Sequence, residues 1–293
     1  MELGAVFPQT QIGTDPGAAS EYAQAAEDLG YDYLVVFDHV LGVNTTHHVG
    51  WKGFYDKDDQ FHETFVLLGY LSGVTQNIGL STAIVILPQR QTALVAKQAT
   101  EIDILSGNRL RLGIGVGWNH VEYEALGKNF HNRGQRYDEQ IRVLRDLWSK
   151  ESVNCEGKWH SLSHTGINPL PNNRNIPLWL GTLPPSPEKV LKRIGVKADG
   201  WIHTTRGVNP DDQFHRTLEN IRTFAQNAGR DPMEVGVECF VVAFEHHPED
   251  WAQAALNWEE AGATHVSFYT LRSGYTSLDQ HIKAIRRLKE DLS

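Results

Sequence analysis

Short apolar runs alternate with helix-length segments along the whole chain, and that alternation limits the architecture more than any other feature. Residues 3–8 read as a strand, and residues 16–29 as an alanine-rich helix with Pro16 just inside its start and Gly30 after its end. Further strands are expected over 33–37, 78–87, 110–117, 177–181, 200–204, 235–244 and 265–271. Between and after them, helices are expected over 61–74, 91–105, 133–149, 190–194, 211–228, 249–261 and 278–288. Near-continuous apolar strands separated by helices belong to a parallel sheet covered on its outer face. Eight such units predict an α/β fold, the (β/α)8 barrel, which takes about 250 residues.

The chain has 293 residues, and the excess falls in two insertions. Residues 40–60 form a polar loop after strand 2, and residues 151–175 a Gly/Asn/Pro-rich excursion between strands 4 and 5, with a hairpin around Glu156-Gly157-Lys158. Neither is long enough to be a separate domain, so a single domain over 1–293 is expected.

Composition excludes several classes. No run approaches the roughly 20 apolar residues that span a bilayer. Met1-Glu2-Leu3-Gly4 lacks a basic leader region, so a cytoplasmic protein without membrane attachment is expected. Two cysteines, Cys155 and Cys239, supply neither a disulfide framework nor a Cys-based zinc site. His47-His48 and His246-His247 are adjacent pairs whose side chains diverge, and no His-Glu-x-x-His occurs, so no metal is expected. A formal charge of -9 opposes general nucleic-acid binding. The absence of Gly-x-Ser-x-Gly removes the usual hydrolase nucleophile.

In a barrel the reactive groups sit where strands end. Those ends are Pro8-Gln9, Asp38-His39, Leu87-Pro88, Gly117-Trp118, Gly181-Thr182, His203-Thr204 and Tyr269-Thr270. His39 reads either as an acid–base group or as a strand cap, and Asp38 as its neighbour in a site or as an Asx-turn residue. Gly113, Gly115 and Gly117 do not complete a dinucleotide motif, since Trp118 stands where a glycine is needed. They keep one strand face bare, either for something flat or for tight packing. Trp118 and Glu122 offer an aromatic wall and a carboxylate, or simply open a helix whose dipole favours the acid. Ser186 is expected to cap the next helix with Pro187 as its first residue, leaving amides that attract phosphate. Arg206 would meet an anionic substrate or be a solvated loop residue.

These residues resemble the bacterial luciferase-like flavin and deazaflavin oxidoreductases, in particular the coenzyme F420-dependent branch. The likeness lies in the order of Ala25-Ala26-Glu27-Asp28-Leu29-Gly30, Asp38-His39, Ile86-Leu87-Pro88-Gln89-Arg90, Leu105-Ser106-Gly107-Asn108-Arg109-Leu110, Gly113 to Trp118, Glu122-Tyr123-Glu124-Ala125-Leu126-Gly127 and Ala198-Asp199-Gly200-Trp201. It implies a barrel, commonly homodimeric, with a tricyclic ring at the strand ends and a small organic substrate. His39 and Glu122 would be catalytic. Asp38, Ala83, Ile84, Gly117 and Trp118 would line the ring, with a non-proline cis peptide near Ala83-Ile84, and Gly181, Thr182 and Ser186 would hold the phosphate. Coenzyme F420 would exchange hydride with the substrate. The alternative, FMN, would be reduced by a partner flavin reductase and would activate oxygen. A binding protein without turnover, or a barrel enzyme for a phosphorylated metabolite, are readings from other classes. The second would require a strand-end lysine or a carboxylate–metal cluster, and neither is evident.

Overall fold

The computed structural model describes residues 1–204 and 209–293. The chain runs β1 (Glu2–Val6), α1 (Pro16–Asp28), β2 (Tyr33–Val36), α2 (Thr64–Val74), β3 (Gly79–Thr82), β4 (Val85–Ile86), α3 (Thr92–Leu105) and β5 (Leu110–Gly115). It continues through α4 (His120–Ala125), α5 (Arg133–Ser149), β6 (Val153–Glu156), β7 (Ser161–Thr165), β8 (Leu178–Thr182), α6 (Glu188–Lys197) and β9 (Gly200–His203). The last elements are α7 (Asp212–Asn227), β10 (Gly236–Val242), α8 (Trp251–Glu260), β11 (His265–Tyr269) and α9 (Leu278–Asp291).

The parallel strands follow the order β3-β2-β1-β11-β10-β9-β8-β5-β4, and β3 also pairs with β5, so the sheet closes. This is the expected eight-stranded barrel, with β3 and β4 sharing one position. The first insertion follows β2, and the second carries the antiparallel β6–β7 hairpin. Among the described residues no helix is long and apolar enough to cross a membrane.

Alternation along each strand divides the core in two. In β2, Leu34 and Val36 join the layer under the helices, whereas Tyr33 and Val35 join an inner cluster with Val6, Trp179, Ile202, Phe240, Val242 and Leu271. The N-terminal end of the barrel is plugged. Arg111 lies between the rings of Tyr33 at 4.2 Å and Trp179 at 4.3 Å, and donates to Glu238 at 2.8 Å and Ser81 at 3.1 Å. The plug depends on missing side chains, because a Cβ on Gly200 or Gly236 would fall 2.3 or 2.4 Å from the Trp179 ring. The opposite, C-terminal end is left as the mouth.

The third strand differs from the single 78–87 run that its apolar sequence predicts. It is broken at the Ala83–Ile84 peptide, which is cis, the bond that the family resemblance singled out. Beyond β4 a 3-10 turn over Leu87–Gln89 carries the chain into α3. Arg109, entering β5, donates to the carbonyls of Ser72 (2.9 Å), Thr75 (3.1 Å) and Ile78 (2.6 Å), satisfying the carbonyl end of α2 and fixing β5 against it.

Candidate active site

Strand β2 delivers Asp38 and His39 to the mouth, and the two side chains do different work. Both carboxylate oxygens of Asp38 are taken by the chain itself: Oδ1 accepts from Thr64 Oγ1 (3.0 Å) and Arg90 Nη2 (2.6 Å), and Oδ2 from the Ile86 amide (2.9 Å) and Arg90 Nε (3.3 Å). Burial works against the charge on Arg90, but Asp38 and Glu63 outweigh it and hold the guanidinium above its ordinary pKa. Asp38 is therefore a brace tying the end of β2 to β4, and it has no free oxygen for the ring-lining role expected of it.

His39 is paired with Glu122. Its Nδ1 lies 3.0 Å from Glu122 Oε2, the same oxygen accepts from Gln89 Nε2 at 3.2 Å, and Oε1 accepts the amides of Val40 (2.6 Å) and Leu41 (3.1 Å). Glu122 sits in the first turn of α4, where Asn119 caps the helix by accepting the Glu122 amide at 3.1 Å. Glu122 is 1% exposed. Burial opposes its charge, yet the bond to His39, that ring's charge and the two backbone amides more than compensate and lower its pKa. An ionised carboxylate only accepts, so Nδ1 of His39 carries the hydrogen, and Nε2 is the nitrogen left for another partner.

The rest of the His39 ring is enclosed by aromatic side chains: Phe61 at 5.0 Å, Tyr55 at 5.4 Å and Trp118 at 5.5 Å between centroids. Tyr55 comes from the first insertion, as do Trp51 and Phe54, which pack against Trp118 at 5.6 and 5.7 Å. Sequence reasoning picked out Trp118 but missed Gln89, Asn119, Trp51, Phe54, Tyr55 and Phe61. Two signals were available: the Asn-x-x-Glu spacing from Asn119 to Glu122, and three aromatics within residues 51–55 of an otherwise polar loop.

The glycines of β5 decide between the two readings given to them in favour of packing. A Cβ on Gly115 would lie 2.7 Å from Ile84 Cδ1, one on Gly181 2.6 Å from Ile84 Cγ2, and one on Gly117 2.7 Å from Ile86 Cγ2. Ile84 thus occupies the space between Gly115 and Gly181. Gly117 and Gly181, expected to meet a cofactor, give their bare faces to the two isoleucines. Ala83 and Ile84 are half-buried and, with Phe37 and Tyr269, form an apolar floor over the inner core.

The region after β8 departs from expectation. Pro187, not Ser186, is the N-cap of α6, and Ser186 Oγ turns back to donate to the Leu183 carbonyl at 3.1 Å. Thr182 Oγ1 accepts from Trp201 Nε1 at 2.9 Å, and its carbonyl accepts the Thr204 amide at 3.2 Å. The start of α6 consequently has no side-chain cap. Arg206 lies outside the described residues. Among the described residues no cluster of three or more His, Cys, Asp or Glu side chains is placed to hold a metal ion.

A closed parallel barrel thus carries a His–Glu pair and an apolar floor at its mouth, and the family can now be stated. The luciferase-like monooxygenase family model matches residues 1–290, and the chain belongs to that family. Two uncharacterized proteins of Mycobacterium tuberculosis are similar to it, one 32% identical over 238 residues (79% of this chain, 80% of the relative) and one 30% identical over 273 residues (92% and 91%). A phthiodiolone/phenolphthiodiolone dimycocerosates ketoreductase from Mycobacterium tuberculosis is 30% identical over 222 residues, 72% of this chain and 56% of that protein. Among solved structures, the fold is shared with the monooxygenase RslO1 from Streptomyces bottropensis (TM-score 0.82, 16% identity, covering 100% and 98% of the two chains). It is shared too with an F420-dependent secondary alcohol dehydrogenase bound to an F420-acetone adduct (TM-score 0.77, 17% identity, 100% and 99%). Members of this family are oxidoreductases or monooxygenases, and this chain is a luciferase-like oxidoreductase.

Proposed function

We propose that this oxidoreductase uses coenzyme F420 and interconverts an alcohol and a carbonyl in a small organic substrate. The observation that carries the reading is the His39–Glu122 pair, which leaves one imidazole nitrogen available at the rim of an apolar floor. The names of the ketoreductase relative and of the secondary alcohol dehydrogenase neighbour both describe carbonyl–alcohol chemistry, which supports it.

The residues present fit the cofactor. Phe37, Ala83, Ile84 and Tyr269 offer apolar surface to a flat ring, and the α6 start, lacking a side-chain cap, leaves amides for a phosphate. A bound deazaflavin supplies the hydride donor or acceptor. The chain supplies the proton chemistry: Nε2 of His39 takes the proton from a substrate hydroxyl, or returns one to a carbonyl oxygen, and the Glu122 carboxylate stabilises the imidazolium formed meanwhile. Enclosure of His39 by Tyr55, Phe61 and Trp118 limits its contact with water.

The test is a titration of the purified protein with coenzyme F420 and with FMN, read by cofactor absorbance and by thermal shift. F420 binding is expected. Binding of FMN alone would replace this reading with the oxygen-using one, and binding of neither would remove both. A homodimer completes the proposal, supported by α2, which is apolar around most of its circumference and leaves Val66 71% and Tyr70 40% exposed. Light scattering that returned the mass of one chain would refute it.

A further inference from the structure

We infer that the substrate carries a flat, aromatic or otherwise apolar face, and that Trp51 and Phe54 of the first insertion, with Trp118, form the wall that selects it. The inference rests on the reaction proposed above for its location, because Trp118 touches both His39 and the insertion. The wall is built rather than incidental. A Cβ on Gly53 would lie 2.4 Å from Trp118 Cζ3 and 2.4 Å from Trp51 Cζ2, so the two indoles approach only because residue 53 has no side chain. Trp51 spends its Nε1 hydrogen on the Tyr55 carbonyl at 3.4 Å, which leaves its ring faces for apolar contact.

The insertion is also fastened in place. Its neck is closed where the Lys57 amide donates to the Val43 carbonyl at 3.0 Å, with Val43 buried. Its tip is held from across the mouth by Arg272, which donates to the Phe54 carbonyl and stacks on Tyr55 at 4.9 Å. Arg272 is anchored in turn where its amide donates to Gln11 Oε1 at 3.0 Å. Phe54 nevertheless remains 41% exposed beside Trp118.

The test uses the protein labelled with fluorotryptophan and titrated, in fluorine NMR, with benzyl alcohol and isopropanol. Both are uncharged alcohols, and isopropanol lacks the ring. Saturable movement of the Trp51 and Trp118 signals is expected with benzyl alcohol, at an affinity at least about tenfold above that of isopropanol. Trp51→Leu and Gly53→Val should each weaken that binding about tenfold, and if Gly53→Val does not fold, Trp51→Leu carries the test alone. Isopropanol binding as well as benzyl alcohol, or benzyl alcohol leaving both signals unmoved, would overturn the inference. Because no cofactor is present in this titration, its failure is separate from that of the F420 assay.

Discussion

Oε2 of Glu122 lies 3.0 Å from Nδ1 of His39, across 83 residues of chain, with the carboxylate held by three further donors, Gln89 and the amides of Val40 and Leu41. A buried acid so surrounded fixes the tautomer of the imidazole as well as its orientation. Glu122→Gln replaces an acceptor of four bonds by a group with one oxygen and an NH2 that faces other donors. Folding stability should fall by about 2 kcal/mol, as expected for a lost charge-assisted hydrogen bond. Turnover under the proposed reaction should fall about 100-fold, within the range for general acid–base catalysis. Urea melts and steady-state kinetics measure the two, and unchanged turnover in a folded Glu122→Gln protein would remove the pair from the reaction.

Much of the barrel was legible because it is written locally. Apolar runs, Pro and Gly punctuation and helical periodicity repeat along the chain, and the two insertions stand out as breaks in that rhythm. The break between β3 and β4 was invisible in the apolar pattern, where residues 78–87 read as one run; it came from the family resemblance, and packing against Gly115 and Gly181 explains where Ile84 goes. His39 and Glu122 could be picked out individually from the positions they occupy. Their aromatic surroundings could not, because Trp51, Phe54 and Tyr55 reach His39 and Trp118 only through the folding of a 40–60 loop with no periodicity. Ser186 misled for a local reason: its hydroxyl satisfies Leu183 behind it and Pro187 takes the cap position.

The Asp38–Arg90 brace makes a stability prediction. Asp38→Ala would leave the Ile86 amide and Thr64 hydroxyl without this acceptor and Arg90 with Glu63 alone. Removing one partner of a buried ion pair costs about 3–5 kcal/mol. A urea-denaturation series should therefore show Asp38→Ala as one of the costliest changes at the mouth. Asp38→Asn, which keeps one oxygen and the shape, should cost less. A loss below about 1 kcal/mol for Asp38→Ala, the scale of an exposed ion pair, would refute the brace.

The glycines of β5 should separate by what stands opposite them. A Cβ on Gly113 would meet the Thr82 backbone carbonyl oxygen at 1.8 Å, whereas one on Gly115 meets the end of the Ile84 side chain at 2.7 Å. Overpacking against a side chain costs about 1–3 kcal/mol. Gly115→Ala should fall in that range and be relieved by Ile84→Ala in the same chain. Gly113→Ala should cost more than about 4 kcal/mol, or prevent folding, and gain nothing from Ile84→Ala. Equal rescue of both in thermal melts would show that Ile84 is not what the Gly115 face accommodates.

Acid should weaken the fold through buried histidines before the carboxylates of lowered pKa take effect. Burial lowers His281 to about 4, and its Nε2 has no hydrogen-bond partner among the described residues while Nδ1 meets Thr270 Oγ1 at 2.8 Å. His203, packed among Trp201, Phe214 and Trp258, is likewise lowered by burial to about 4, although Asp211 opposes the shift. Both are neutral in the native state at pH values where the unfolded chain, with histidine near 6.5, already binds protons. Their contribution is complete above about 6.5 and is lost as pH falls towards 4, by at most about 1.4 kcal/mol per pH unit for each residue. Glu122 and Asp138, whose pKa values are lowered, add to the loss only below the ordinary carboxylate range, whereas Asp103, raised by burial to about 6, takes its proton first in the folded state, so from about 6.5 to 5 the histidines set the sign of the slope and Asp103 offsets part of it. Urea unfolding across that window should give a stability that rises with pH, with a shallower slope for His281→Leu whatever its absolute stability. An unchanged slope in His281→Leu would mean that this imidazole is not held neutral by the fold.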